Sequence, residues 1–157
     1  MDARIDFHTN PVGAKYLGHL VAAGGALKEA PLPDATQQLM ALRISQINGC
    51  GFCVDMHTKG AAAAGETSVR LHLVAAWREA AVFTDAERAA LELAEEGTRI
   101  ADAAGGVPDE VWANAAKHYD EDQLTAMIGT IAVLNAFNRL NVLAQQPAGG
   151  YQPGRLG

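Results

Sequence analysis

Cys50, Cys53 and His57 stand at i, i+3 and i+7 in the segment Cys50-Gly51-Phe52-Cys53-Val54-Asp55-Met56-His57. If the segment is helical, this spacing brings all three side chains onto one face. Asn48-Gly49 just ahead breaks any preceding helix, so the segment reads as a new helix with Cys50 at its N-terminus. There the unpaired backbone N–H groups and the helix dipole favour a thiolate, and a Cys-x-x-Cys setting commonly lowers a thiol pKa below its free value of about 8.5. His57, one turn beyond Cys53, is placed to accept its proton. Cys53 is then the better nucleophile, and Cys50 is placed to resolve an oxidised Cys53 as an intramolecular disulfide. Together they would form a two-electron thiol redox centre.

Two other readings fit the same residues. Cys50, Cys53 and His57 could be three ligands of a tetrahedral zinc, with the fourth from Asp55, His72 or His118, although the sequence has no second Cys/His pair at ligand spacing. Alternatively, both cysteines are small buried hydrophobes and His57 is an ordinary hydrogen-bonded histidine.

The flanking sequence must position that face. Residues 1–12 read as an arm ending at Pro11, followed by a weakly amphipathic stretch from Lys15 to Lys28 that carries Leu17, Leu20, Val21 and Leu27. Gly24-Gly25 weakens it, each interior Gly costing about 1 kcal/mol relative to Ala. Pro31-Leu32-Pro33 ends it. Asp34, with Gln37 three residues on, has the spacing of an N-cap for a buried helix over 35–47. The helix starting near Cys50 runs to Ala64 and is closed by Gly65. Thr67-Ser68 opens a further run through Val69, Leu71, Leu73, Val74 and Trp77.

Thr84-Asp85-Ala86-Glu87 is the clearest capping box in the chain. It starts a helix with Ala86, Ala90, Leu93, Gly97 and Ile100 on its inner face and Glu92, Glu95, Glu96 and Arg99 on a solvated one. Pro108-Asp109-Glu110 opens a helix to about His118, and Asp120 with Gln123 caps a last long helix to about Gln145. The tail from Pro147 to Gly157 should be irregular. No alternating strand pattern is present, so the chain reads as one all-α domain over residues 1–157 with six to seven helices.

Asn135, Asn138 and Asn141 recur every three residues in the last, otherwise apolar helix. They are read first as hydrogen bonds between helices or subunits, with some able to line the site. Trp77 is read as core or interface, and His8, His19, His72 and His118 as surface or packing residues. Ser45 and Gln46 precede the turn and could meet a ligand approaching Cys50.

The 157 residues carry 12 Lys+Arg and 18 Asp+Glu, a net charge of −6, and no cationic cluster. That balance argues against nucleic-acid or membrane-surface partners. Met1-Asp2-Ala3-Arg4-Ile5-Asp6 is charged where a signal peptide is apolar, and no stretch reaches about 18 uninterrupted apolar residues. The expectation is a cytoplasmic protein in which the paired cysteines are catalytic or metal-binding. Haem, flavin and nucleotide motifs are absent, and no organic cofactor is expected.

The stretch from Gln38 to Glu66, Gln-Leu-Met-Ala-Leu-Arg-Ile-Ser-Gln-Ile-Asn-Gly-Cys-Gly-Phe-Cys-Val-Asp-Met-His-Thr-Lys-Gly-Ala-Ala-Ala-Ala-Gly-Glu, resembles the core of the carboxymuconolactone decarboxylase superfamily in its alkylhydroperoxidase D-like (AhpD-like) branch. The likeness continues through Ala75-Ala76-Trp77-Arg78-Glu79, Phe83 to Leu91, Asn135 to Asn141 and Gly150-Tyr151-Gln152-Pro153-Gly154. The resemblance implies an AhpD-like helical bundle assembled into trimers or hexamers. It further implies a hydroperoxide or small disulfide as substrate and a thiol protein as reductant.

By the same resemblance, Cys53 is the peroxide-attacking thiol that passes through a sulfenic acid, and Cys50 donates a proton and then closes the disulfide. His57 belongs to a proton relay with a glutamate twelve residues before the first cysteine; here that position is Gln38. Glutamine can orient His57 but cannot carry a proton, so the relay would end at His57, at water or at another carboxylate such as Asp55. Phe52 stands where a member of the branch has histidine. The alternative is a non-catalytic or redox-sensing helical oligomer, its cysteine pair weakly reactive because Gln38 replaces the glutamate.

Overall fold

Apolar residues at many angles around the segment Asp34–Ile47 require that helix to be enclosed. The computed structural model, which describes residues 2–154, places it at the centre of an all-helical bundle. Among the described residues there are seven α-helices and no strand: α1 Pro11–Lys28, α2 Asp34–Ile47, α3 Gly51–Ala63, α4 Ser68–Leu73, α5 Asp85–Thr98, α6 Asp109–Ala115 and α7 Glu121–Ala144. Met1 and residues 155–157, the outermost parts of the charged N-terminus and of the expected irregular tail, lie outside the described residues.

α2 divides the core. Its Leu39 and Leu42 join Leu71, Val74, Trp77, Phe83 and Leu91 in one apolar cluster, while its Met40 and Ile44 join residues of α5, α6 and α7 in another. None of these four α2 side chains is more than 1% exposed. Truncating any of them to Ala would cost about 2–5 kcal/mol. Small residues set the approach of α7 to its neighbours: a Cβ on Gly129 would come within 2.5 Å of Leu27 in α1, and one on Gly97 of α5 within 3.2 Å of Ile131.

Several local expectations change. α1 begins at Pro11, four residues before the predicted stretch, because Asn10 caps it by accepting from the Gly13 N–H at 2.9 Å. Asp34 is the first residue of α2 and not its N-cap, which is Pro33 without a side-chain bond; Gln37 instead donates to the Leu32 carbonyl. The run opened by Thr67 bends into a 3-10 turn over Val74–Glu79, where Ala76 leaves helical geometry. α6 ends at Ala115, short of His118. Ile100 lies beyond the end of α5 and is 58% exposed.

The largest correction is Glu95, placed by its pattern on a solvated face but in fact buried. Its carboxylate accepts from Arg43 at 2.8 Å and Trp77 Nε1 at 3.0 Å and pairs with Arg78 at 2.9 Å. Burial alone would raise its pKa, but the hydrogen bonds from Trp77 and Arg43 outweigh it and hold the carboxyl down to about 2. α7 is by length and composition alone capable of crossing a membrane. Asn135, Asn138, Arg139 and Asn141 interrupt its apolar run, and it packs against α1, α2 and α5.

Candidate functional site

Gly49, at φ +66°, turns the chain from α2 into α3. Cys50 thereby becomes the N-cap of α3: its Sγ accepts from the Cys53 N–H at 3.3 Å, and its own N–H donates to the Ser45 carbonyl at 3.0 Å. Sulfur occupies the place usually filled by a Ser or Asp oxygen, and the positive end of the α3 dipole falls on the pair. Cys50 and Cys53 are joined as a disulfide, with Cα atoms 5.3 Å apart. Each residue is 1% exposed.

The three asparagines of α7 divide their work. Asn48 Nδ2, at the end of α2, donates to Asn135 Oδ1 at 3.0 Å and to Asn138 Oδ1 at 2.9 Å; Asn138 Nδ2 donates to Ser45 Oγ at 3.2 Å. This is the expected interhelical role, and it fixes the turn that presents Cys50. Asn141 does something else: its Nδ2 donates to Cys53 Sγ at 3.3 Å.

His57 Nδ1 lies 3.4 Å from Gln38 Oε1. An amide oxygen only accepts, so this contact assigns the ring proton to Nδ1 and leaves Nε2 as a lone-pair acceptor. That Nε2 is buried and has no hydrogen-bond partner among the described residues. Burial, and secondarily the charge of Lys28, lower the His57 pKa from 6.5 to about 4, so the ring is neutral at pH 7.

Asp55 does not join His57. Its carboxylate accepts from the N–H groups of Gly149 at 2.8 Å and Tyr151 at 3.2 Å and pairs with Lys59 at 2.7 Å, while Lys59 donates to the carbonyls of the same two residues. The hydrogen bond from Lys59 holds the Asp55 carboxyl below its ordinary value. Residues 147–151 are thus strapped across α3. Beside the strap lies a cavity of about 400 Å³ lined by Cys50, Phe52, Asn141, Val142 and Pro147 among others; Cys50 borders it and Cys53 does not.

The other candidates fall away from the pair. His8, His19, His72 and His118 are exposed. Ser45 is buried against Asn138, out of reach of an approaching ligand, and Gln46 Oε1 is buried without a partner among the described residues. Trp77 is core, with the Arg78 guanidinium 4.3 Å from its ring centroid. Among the described residues no group of three or more His, Cys, Asp or Glu is arranged to hold a metal ion. Sequence reasoning passed over Lys59 as a strap residue; an Asp and a Lys at i, i+4 were legible, but not the backbone they grip.

An all-helical bundle with a Cys-x-x-Cys pair at the head of α3 is the AhpD-like arrangement. The chain belongs to the carboxymuconolactone decarboxylase family, whose sequence model matches residues 15–96. It is 39% identical over 115 residues to the uncharacterized protein YdfG of Bacillus subtilis, covering 73% of this chain and 77% of that one. A solved protein of unknown function from Agrobacterium tumefaciens, proposed as an antioxidant defence protein AhpD, superposes with a TM-score of 0.89 at 28% identity, over 96% of this chain and 100% of that one. The debrominase Bmp8 shares the fold with a TM-score of 0.75 at 21% identity, over 92% of this chain and 75% of that one.

Proposed function

We propose that the protein is a thiol-dependent hydroperoxide reductase acting through Cys50, Cys53 and His57, with small disulfides as a second class of oxidising substrate. The observation that carries this reading is the Cys50–Cys53 disulfide at the head of α3, with His57 one turn on and held by Gln38. Similarity to an AhpD-type protein supports it. In the reduced protein the Cys53 thiolate attacks one oxygen of the hydroperoxide; the S–O bond forms, the O–O bond breaks, and the alkoxide takes a proton and leaves as an alcohol. Cys50 then attacks the sulfenic sulfur of Cys53, water departs, and the disulfide closes. A protein dithiol reduces it and becomes a disulfide itself.

His57 Nε2 receives the Cys53 proton and passes it to the leaving oxygen; with a pKa of about 4 it holds that proton only in transit. Gln38 orients the ring. The reading also takes the protein to be a homo-oligomer, a trimer or hexamer. Apolar side chains left open on α7, Leu143 at 70% exposed and Ile128 at 52%, supply surface for it.

The test is the intact mass of reduced protein before and after a slight excess of an organic hydroperoxide. The expected result is prompt loss of two hydrogens in the wild type, a sulfenic acid on Cys53 in Cys50→Ser, and no peroxide consumption in Cys53→Ser. An unchanged mass, or peroxide consumption retained without Cys53, would overturn the mechanism. A redox-sensing oligomer is the second reading, favoured by the 1% exposure of both cysteines and the missing carboxylate at position 38. It predicts slow oxidation of the pair.

A further inference from the structure

His57 is uncharged at neutral pH and so cannot supply the cation that commonly steadies a reactive thiolate. The first cysteine has its own donor, the Cys53 backbone N–H at the head of α3. The second has a side-chain donor from a different helix, Asn141 of α7, at 3.3 Å. Asn141 also borders the cavity that reaches Cys50, so it touches both that cavity and Cys53 Sγ.

We propose that Asn141 is a catalytic residue of this centre, its amide holding the negative charge on Cys53 Sγ. The proposal rests on the pair being a thiol redox centre and adds the group that stabilises its charged state. The same bond serves both halves of a redox cycle. When Cys53 attacks, the amide favours its thiolate over its thiol. When an external protein thiolate opens the disulfide at Cys50, a bond forms between that sulfur and Cys50 Sγ and the Cys50–Cys53 bond breaks. The electron pair then departs on Cys53 Sγ, directly onto the Asn141 N–H. A leaving sulfur of lower pKa departs faster.

The ionisable groups around the pair are few in kind. His57 lies on α3 itself, Lys28 at the end of α1 acts on His57, and Asp55 and Lys59 are committed to each other and to the strap. On α7, Arg139 is turned to Asn135, at 2.8 Å.

The experiment is an ultraviolet thiolate titration of Cys53 in a Cys50→Ser background, with position 141 as Asn, Leu or Asp. Leu keeps the approximate volume without a donor, and Asp keeps the shape but adds a negative charge. The expected result is a Cys53 pKa raised by about one unit in Asn141→Leu, a tenfold loss of thiolate at a fixed pH below the pKa. Asn141→Asp should raise it further. Alkylation of Cys53 at neutral pH should slow in the same order. A purely structural role would not produce that order, and equal pKa values in all three proteins would overturn the proposal. Peroxide consumption by the protein with both cysteines is measured separately. If that activity is absent while the titration order holds, the hydroperoxide reading fails and the assignment of Asn141 stands.

Discussion

At the scale of single residues, the site turns on a histidine that is half-buried, neutral and half-partnered. The folded His57 pKa of about 4 lies below the ordinary 6.5. Between those values the unfolded chain takes up a proton that the folded chain refuses, so stability falls as pH drops from 6.5 toward 4, by about 3 kcal/mol across the window. Urea denaturation midpoints should decline over that range in the wild type and much less in His57→Gln. Equal declines in both would remove His57 as the cause. Gln38→Glu would place a carboxylate beside His57 Nδ1, raise the ring pKa and strengthen it as a base. Peroxide consumption should then rise by about tenfold or more, up to the roughly 10²-fold at which general-base contributions begin. An unchanged rate together with an unchanged His57 titration would show that the two side chains do not communicate.

At the scale of elements, most of what the sequence made legible depended on neighbours in the chain, the misplaced Asp34 cap being an exception. The capping boxes at Thr84 and Asp120, the turn at Asn48-Gly49 and the helix headed by Cys50 all follow from contacts within four residues, and all are present. What was hidden depended on distant partners. Glu95 shares its helix face with other charges, so its pattern reads as solvated; only Arg43, 52 residues away, and Trp77, 18 away, show that it is buried. Glu95→Gln should therefore destabilise the fold by about 2–4 kcal/mol, because the Arg43 charge stays behind in a poorly solvated place. Thermal melts of the variant check this. The asparagine triplet was half legible: its period revealed one face of α7, but not that Asn141 would end on sulfur. Asp55→Ala should release the strap and speed alkylation of reduced Cys50 several-fold, with little change in melting temperature. An unaltered rate would mean the strap does not cover that thiol.

At the scale of the whole molecule, the class was the most legible feature, because a chain with no alternating pattern and repeated caps has few architectures open to it. The proposed association of copies was less so, since apolar residues on α7 serve equally for the core and for a partner. Leu143→Glu puts a charge on the most exposed of them and should shift sedimentation toward the 16.5 kDa single chain. A wild type that already sediments as a monomer would end that reading. The geometry around the cysteine pair also bears on the order of synthesis. Asn141 lies 88 residues after Cys53, and Gly149 lies 94 after Asp55. On the ribosome both cysteines are therefore made long before the helix and strap that enclose them exist. A nascent chain carries an open dithiol, within reach of any small oxidant or free disulfide, and shelters it only once α7 and residues 147–151 have been made and have folded back over α3.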